Sequence, residues 1–222
     1  MTASEGSHLG VASAGIRHPV FARLWVALSR YEPAEIGRHR DELVDGLTGR
    51  VLELGAGAGS NFGHYSPTVD EVLAVEPEPY LRRRAEAAAA RSRVRIKVVD
   101  GVADRLPAAD GSCDAAVTSL VLCSVPDLAG ALAELHRVVR PGGELRFYEH
   151  IRSDRAGLAR VQRIVDRLFW PRAFGGCHTA RDTPAAIAAA GFAIEDSRPV
   201  WLGPRIVPPP TAPHAIGRAR RV

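Results

Sequence analysis

The sequence predicts a mostly parallel α/β sheet with helices on both faces. Three observations lead there. An apolar strand over 50–55 runs straight into Gly55, Gly57 and Gly59. Short apolar runs then alternate with helical stretches, and beyond 190 two further strand-like stretches flank Pro208-Pro209-Pro210. Such alternation is what parallel strands joined by crossover helices require. At 222 residues, 46% apolar and 24% charged, the chain suffices for one domain of this kind with a full core.

Taken in order, residues 1–15 are rich in Gly, Ser and Ala. They lack a basic stretch followed by an apolar one, so they read as a disordered tail and not a signal peptide. Over 18–31, Phe21, Leu24, Trp25 and Leu28 recur at helical spacing, giving a short amphipathic helix expected to pack on the sheet edge. A second helix is expected over 35–47. The expected division is a tail over 1–15, a helical lid segment over 16–48 and the α/β domain over 49–222. Strands are expected over 50–55, 71–76, 94–99, 113–119 and 143–149, with helices over 60–66, 78–92, 127–140, 156–170 and 183–190. The stretches 192–200 and 212–220 form the closing antiparallel pair, joined by a proline-stiffened loop.

The glycine run carries the chemistry. A strand that ends in glycines lets backbone approach a ligand, because no Cβ intervenes. A helix opening at 61–65 would point its N-terminus at that ligand. A dinucleotide site spaces its small residues Gly-x-Gly-x-x-Gly and holds a pyrophosphate. Here the spacing is Gly55, Gly57, Gly59, position 60 is Ser, and Glu53 lies two residues before the first glycine. An acid there opposes a pyrophosphate but favours S-adenosylmethionine, which carries an ammonium and a sulfonium and no phosphate. Glu76, followed by Pro77, ends the second strand about 20 residues on, where a carboxylate grips a ribose diol; otherwise it is a solvated strand-end charge. Asp100-Gly101 ends the third strand, where the acid accepts from an adenine amino group or simply makes an Asp-Gly turn. Ser119 and Leu120, at the end of the fourth strand, are expected to touch the cofactor through backbone groups.

The ordered series Glu53/Gly55/Gly57/Gly59, Glu76, Asp100-Gly101, Cys113-Asp114-Ala115-Ala116-Val117 and Arg140-Pro141-Gly142-Gly143 resembles the motifs of class I S-adenosylmethionine-dependent methyltransferases over about 49–147. That resemblance implies a Rossmann-like, seven-stranded, mostly parallel sheet, S-adenosylmethionine as cofactor, and a lid role over that cofactor for the helical segment before the first strand, alongside its packing on the sheet edge. Leu120-Val121-Leu122-Cys123-Ser124-Val125, Glu149-His150, Gly176-Cys177-His178-Thr179-Ala180-Arg181-Asp182-Thr183 and Pro213-His214-Ala215-Ile216-Gly217 are in turn similar to the small alkyl-thiol methyltransferases of the microsomal thiol-methylating type. Those proteins have an apolar N-terminal membrane anchor, which this sequence does not show.

Composition bounds the partners. The net charge is only +4, with much of the basic excess in Arg218, Arg220 and Arg221, and no basic patch is interleaved with aromatics as nucleic-acid binding requires. No run approaches the ~20 apolar residues of a membrane span. Cys113, Cys123 and Cys177 are odd in number and without paired metal spacing, which suits a reducing, cytoplasmic location and gives no metal site. The expected partner is a small-molecule methyl acceptor.

Methyl transfer from a sulfonium needs alignment and exclusion of water more than strong acid–base help. A thiol, with its pKa near ~8.5, supplies its own thiolate near neutrality. His150, after the fifth strand, is the catalytic candidate, with Glu149 to orient it; the alternative is a structural histidine bonded to a loop. His178 sits in a glycine-rich loop that closes over an acceptor or stays in solvent. His64 and Tyr65 are expected to cap or pack the first helix. Cys123, in apolar company, reads as an inert small hydrophobe. Cys177 is the one cysteine whose loop could make it reactive; the alternative, which weighs more, is an inert thiol. Phe169, Trp170, Phe174 and Trp201 form an acceptor pocket or pack the core. The expected activity is methyl transfer to a small, fairly apolar acceptor, a thiol first. The same motifs serve O-, C- or N-methylation of a lipid, quinone or secondary metabolite, and a non-catalytic cofactor-binding regulator.

Overall fold

The computed structural model describes residues 19–29 and 33–222; the tail expected over 1–15 lies outside them. Seven strands form one sheet in the order β3-β2-β1-β4-β5-β7-β6. They are β1 (Gly49–Leu54), β2 (Val69–Val75), β3 (Ile96–Val99), β4 (Cys113–Ser119), β5 (Val139–His150), β6 (Phe192–Trp201) and β7 (Pro213–Arg221). The first five are mutually parallel, and β7 runs antiparallel to both β5 and β6. The expected closing pair is therefore present, and β7 inserts between β5 and the edge strand β6.

Side-chain alternation builds two cores, one per face. Leu52, Leu54, Leu73, Val75, Ala116, Leu145 and Phe147 point to one face, under α4 (Leu128–Val138) and under α7 (Thr183–Ala189), which follows the short α6 (Trp170–Ala173). Val51, Val72, Ala74, Ala115, Val117 and Tyr148 point to the other, with Leu43, Val44 and Ala85 of α2 (Ala34–Val44) and α3 (Pro79–Ala89). A strand covered on both sides carries consecutive apolar residues, as 72–75 of β2 and 115–117 of β4 do. The helix starts are chemically specified. Glu78 caps α3 by accepting from the amides of Tyr80 and Leu81, Asp127 caps α4 through Gly130, and Asp182 caps α7 through Ala185.

Two expectations fail. No helix forms over 60–66: the chain from Gly55 to His64 is a series of tight turns, with φ of +68°, +58° and +82° at Gly55, Gly57 and Gly59. The ligand-facing helix N-terminus is thus replaced by turn amides. β5 is also longer than the stretch 143–149, because pairing begins at Val139 and continues past Pro141-Gly142-Gly143 through an irregularity opposite Cys113 and Ala115. Within the expected lid segment, α1 (Pro19–Ser29) packs against α3 and not on a sheet edge, with Arg23 over the Tyr80 ring. Among the described residues no helix is long and apolar enough to cross a membrane.

Candidate functional site

The C-terminal ends of β1 and β4 meet at one opening, lined by Arg40, Glu53, Gly55, Ala56, Gly57, Ala58, Ser60, Asn61, Ser119 and Leu120, with Glu76 behind it against Gly57. This is the position at which open α/β sheets bind ligands. Gly55 is required there by geometry: a Cβ would lie 2.3 Å from Val121 Cγ2, and its φ is one that side chains resist. Leu120 adopts φ +58°, a left-handed conformation costing roughly 1–2 kcal/mol in a residue with a side chain. It is held by its amide donating to the Tyr148 carbonyl at 2.8 Å.

Glu53 is buried at the floor of the opening. Its two oxygens accept from Asn61 Nδ2 at 3.0 Å and Tyr65 Oη at 2.8 Å. Burial pushes its carboxyl up to about 7, against the two hydrogen bonds and the Arg40 charge, which pull it down. Glu76 accepts from the Gly57 amide on Oε2 and the Glu78 amide on Oε1, both at 2.8 Å. Desolvation raises it as well, opposed by those amides. Each oxygen of both acids therefore keeps a lone-pair site for a further donor. These are the demands of a ligand with an ammonium at one end and a vicinal diol at the other, so the residues fit S-adenosylmethionine.

Asp100 faces Arg82 at 3.1 Å, and the same guanidinium also donates to the carbonyls of Glu76 and Pro77. Arg82 thus knits the ends of β2 and β3 together. Gly101 packs where a Cβ would meet Val75 Cγ1 at 2.8 Å. Ser119 and Leu120 line the opening as expected.

Arg40 is a site residue that the sequence analysis missed. It is buried on α2, donates to Asn61 Oδ1 at 2.6 Å and reaches Ser119 Oγ at 3.5 Å. The signal was there: positions 40, 43 and 44 make one buried stripe on α2, and only the first is charged. Gln162 on α5 (Ala156–Leu168) was also missed. It accepts from the Ser153 amide and donates to the carbonyls of Ile151, Thr179 and Pro210, tying three loops beyond β5 together.

The second half of the site surrounds His150, the last residue of β5. Glu149 does not orient it. The two side chains leave opposite faces of the strand, as neighbours must, and the Glu149 carboxylate accepts from the amides of Val121, Leu122 and Cys123. His150 instead meets Cys177 Sγ with Nδ1 at 3.4 Å, and its ring lies 4.5 Å from that of His214. Cys123 completes the group: a ligand atom from each of Cys123, His150 and Cys177 lies within 4.8 Å of the others. Cys123 and Cys177 are both buried. Hydrogen bonding from Cys123, helped by the His150 ring, pulls the Cys177 thiol down to about 5, and the same contact pushes Cys123 well up. Burial and the His150 charge hold His214 down at about 3.

The remaining candidates separate. Trp170 stacks on Phe174 at 4.1 Å with Phe169 alongside, whereas Trp201 lies under the guanidiniums of Arg155 and Arg205 and is not part of that cluster. His64 pairs with Asp41 at 2.6 Å, and Tyr65 bonds Glu53, so neither caps a helix. The His178 amide donates to the Cys123 carbonyl at 2.7 Å.

A sheet of this order with an acid–glycine cradle at the β1 terminus defines an S-adenosylmethionine-dependent methyltransferase of class I. The methyltransferase domain family matches residues 52–147. The chain is 34% identical over 190 residues to the thiol S-methyltransferase TMT1B of Homo sapiens, covering 79% of this chain and 74% of that one. It is 35% identical over 180 residues to TMT1B of Mus musculus, covering 78% and 72%. It belongs to the family of these thiol S-methyltransferases. Solved structures share the fold at lower identity. An S-adenosylmethionine-dependent methyltransferase from Mesorhizobium loti superposes with a TM-score of 0.62 at 22% identity, covering 85% of this chain and 98% of that one. The [4+2]-cyclase SpnF does so at 0.65 and 20%, covering 83% and 80%.

Proposed function

We propose that this chain methylates the sulfur of small, fairly apolar thiols. The observation that carries the proposal is its identity of about a third, over most of both chains, to relatives named as thiol S-methyltransferases. When bound, S-adenosylmethionine supplies a methyl group already activated by its sulfonium. Glu53 receives the ammonium, with Arg40 and Asn61 fixing the Glu53 carboxylate, and Glu76 receives the ribose hydroxyls. Asp100 and Gly101 flank the adenine end beside Pro77, and the backbone of Gly55, Gly57, Ser119 and Leu120 forms the wall, with Gly59 packed behind it on Phe62 and Ala88. The thiol enters beside His150 and the Trp170–Phe174 stack, where apolar area aligns it and excludes water. His150 serves the ionisation of that thiol. The segment over 16–48 supplies Arg40 to the cradle, and the domain over 49–222 supplies the rest. A cytoplasmic location belongs to the same proposal and rests on the three unpaired cysteines.

Because the fold also serves a cyclase, the fold alone does not fix the reaction. The test is a transfer screen with methyl-labelled cofactor across alkyl thiols, aryl thiols, phenols, amines and lipids. Label is expected on thiols. Label on phenols or amines with every thiol inert would leave a methyltransferase and remove the thiol assignment.

A further inference from the structure

We propose that Cys123, His150 and Cys177 form a three-ligand site for a thiophilic divalent cation of the zinc class, with the fourth coordination position open. The argument begins with geometry. Around a tetrahedral zinc bound by sulfur and imidazole nitrogen, ligand atoms lie roughly 3.5–3.8 Å apart. Here Cys177 Sγ and His150 Nδ1 are 3.4 Å apart, and all three donor atoms fall within 4.8 Å of one another. Two thiols and one imidazole are a soft donor set that selects zinc over magnesium or calcium.

The donors come from three separate segments, and hydrogen bonds hold each segment in place. The turn carrying Cys123 hangs from the Glu149 carboxylate through three amides. Arg181 pins the other side of that turn through the carbonyls of Leu122 and Val125. The loop carrying Cys177 is tied by the Gly176 amide to the Pro171 carbonyl and the Cys177 amide to the Phe174 carbonyl. Gly176 lets the two loops touch, since a Cβ there would lie 2.7 Å from the Ser124 carbonyl. His150 is fixed by the β5–β7 ladder opposite His214. Three soft donors thus face one point before any ion arrives. The Arg181 guanidinium nearby is compatible, because two thiolates neutralise a divalent cation and leave no excess positive charge.

Among the described residues no further Cys, His, Asp or Glu joins the cluster. A closed structural site takes four protein ligands, whereas three leave a position for a substrate atom. The location gives that position a use. Cys123 sits three residues beyond Leu120, in the same turn that lines the cofactor opening, and Val121 of that turn packs against Gly55. On the thiol-acceptor proposal above, on which only this role rests, the acceptor sulfur takes the open position. A metal–sulfur bond forms, the S–H bond breaks, the proton passes to solvent, and nothing is oxidised or reduced. His150 then serves the thiol's ionisation as a ligand and not as a free base.

The test uses the whole 222-residue chain, purified reduced and without chelator. Zinc content is measured by elemental analysis, and cobalt(II) replaces zinc for absorption spectroscopy. About one zinc per chain is expected, with a thiolate-to-cobalt band in the near ultraviolet and the strong visible bands of four-coordinate cobalt. Adding an alkyl thiol should shift those visible bands. Cys123→Ser and Cys177→Ser should each lose the zinc, while His178→Ala keeps it. Calorimetric binding of S-adenosylmethionine reports whether each variant is folded. If the serine variants do not fold, the cobalt spectrum of the unmodified chain decides. Overturning results are a chain that binds cofactor yet stays zinc-free after supplementation, or serine variants that keep full zinc. A chain recovered with Cys123 and Cys177 cross-linked, and metal-free once reduced, also overturns the site. Zinc bound with no shift on adding thiol removes the acceptor role, and the transfer screen separately decides whether thiols are substrates.

Discussion

Affinity for S-adenosylmethionine should fall steeply below neutral pH, and Glu53 should be the cause. The Glu53 carboxyl is raised to about 7 by burial, so in the free protein it is largely neutral at mild acidity. Only the carboxylate attracts the ligand's ammonium, so binding must expel the proton. For a group titrating near 7, the ionised fraction falls from ~90% at about pH 8 to ~3% at about pH 5.5, a loss of ~30-fold in affinity or ~2 kcal/mol. The sign is fixed by the raised value: the charged form is present above about 7 and lost as pH falls. Isothermal titration calorimetry in buffers of different ionisation enthalpy reads both the affinity and the proton released. Glu53→Gln keeps an acceptor for Asn61 or Tyr65 and removes the titration. It should bind weakly at both pH values, with no slope. A flat affinity across this range in the parent protein, or the same slope in the glutamine variant, would refute the role of Glu53.

Glu76→Ala should weaken cofactor binding more than ~10-fold, since charge-assisted bonds to a diol are worth roughly 1.5–3 kcal/mol each; calorimetry checks this, with Asp100→Ala expected to cost less. Gln162→Leu orphans the Ser153 amide and the carbonyls of Ile151, Thr179 and Pro210. It should cost at least ~3 kcal/mol, lowering Tm by ~6–12 °C in a thermal melt. His214, held down at about 3, is stabilising in its neutral form above its unfolded value of 6.5. That contribution drains away as pH falls, by ~3 kcal/mol near pH 4.5, and His214→Phe should flatten this part of the denaturant-measured stability profile.

The sheet was legible because burial on both faces leaves consecutive apolar residues over 72–75 in β2 and 115–117 in β4, and because a glycine or an acid follows β1, β2 and β3. The cradle was legible for the same reason: Glu53, the three glycines and Glu76 lie within one contiguous β-turn-β stretch. What escaped depends on contacts distant in sequence. The stretch after Gly59 has helix-compatible residues, but positive φ at three glycines turns the chain too tightly for a helix to start. Glu149 and His150 are neighbours in sequence yet serve opposite faces of the sheet. The Cys123, His150 and Cys177 group was invisible to any spacing rule, because β5 and a loop beyond α5 bring together residues far apart along the chain. Arg40 and Gln162 are polar residues on buried helix stripes, and that mismatch is the one local sign of their roles.

The most direct measurement is the identity of the product in a single turnover. Protein loaded with S-adenosylmethionine is mixed with a small alkyl thiol, an equal amount of a phenol and an equal amount of a primary amine, and the products are resolved by mass spectrometry. The expected result is one methyl thioether and one S-adenosylhomocysteine per loaded site, with phenol and amine unchanged. Methylated phenol or amine with free thiol intact, or bound cofactor that survives undiminished, would contradict S-methylation by this chain.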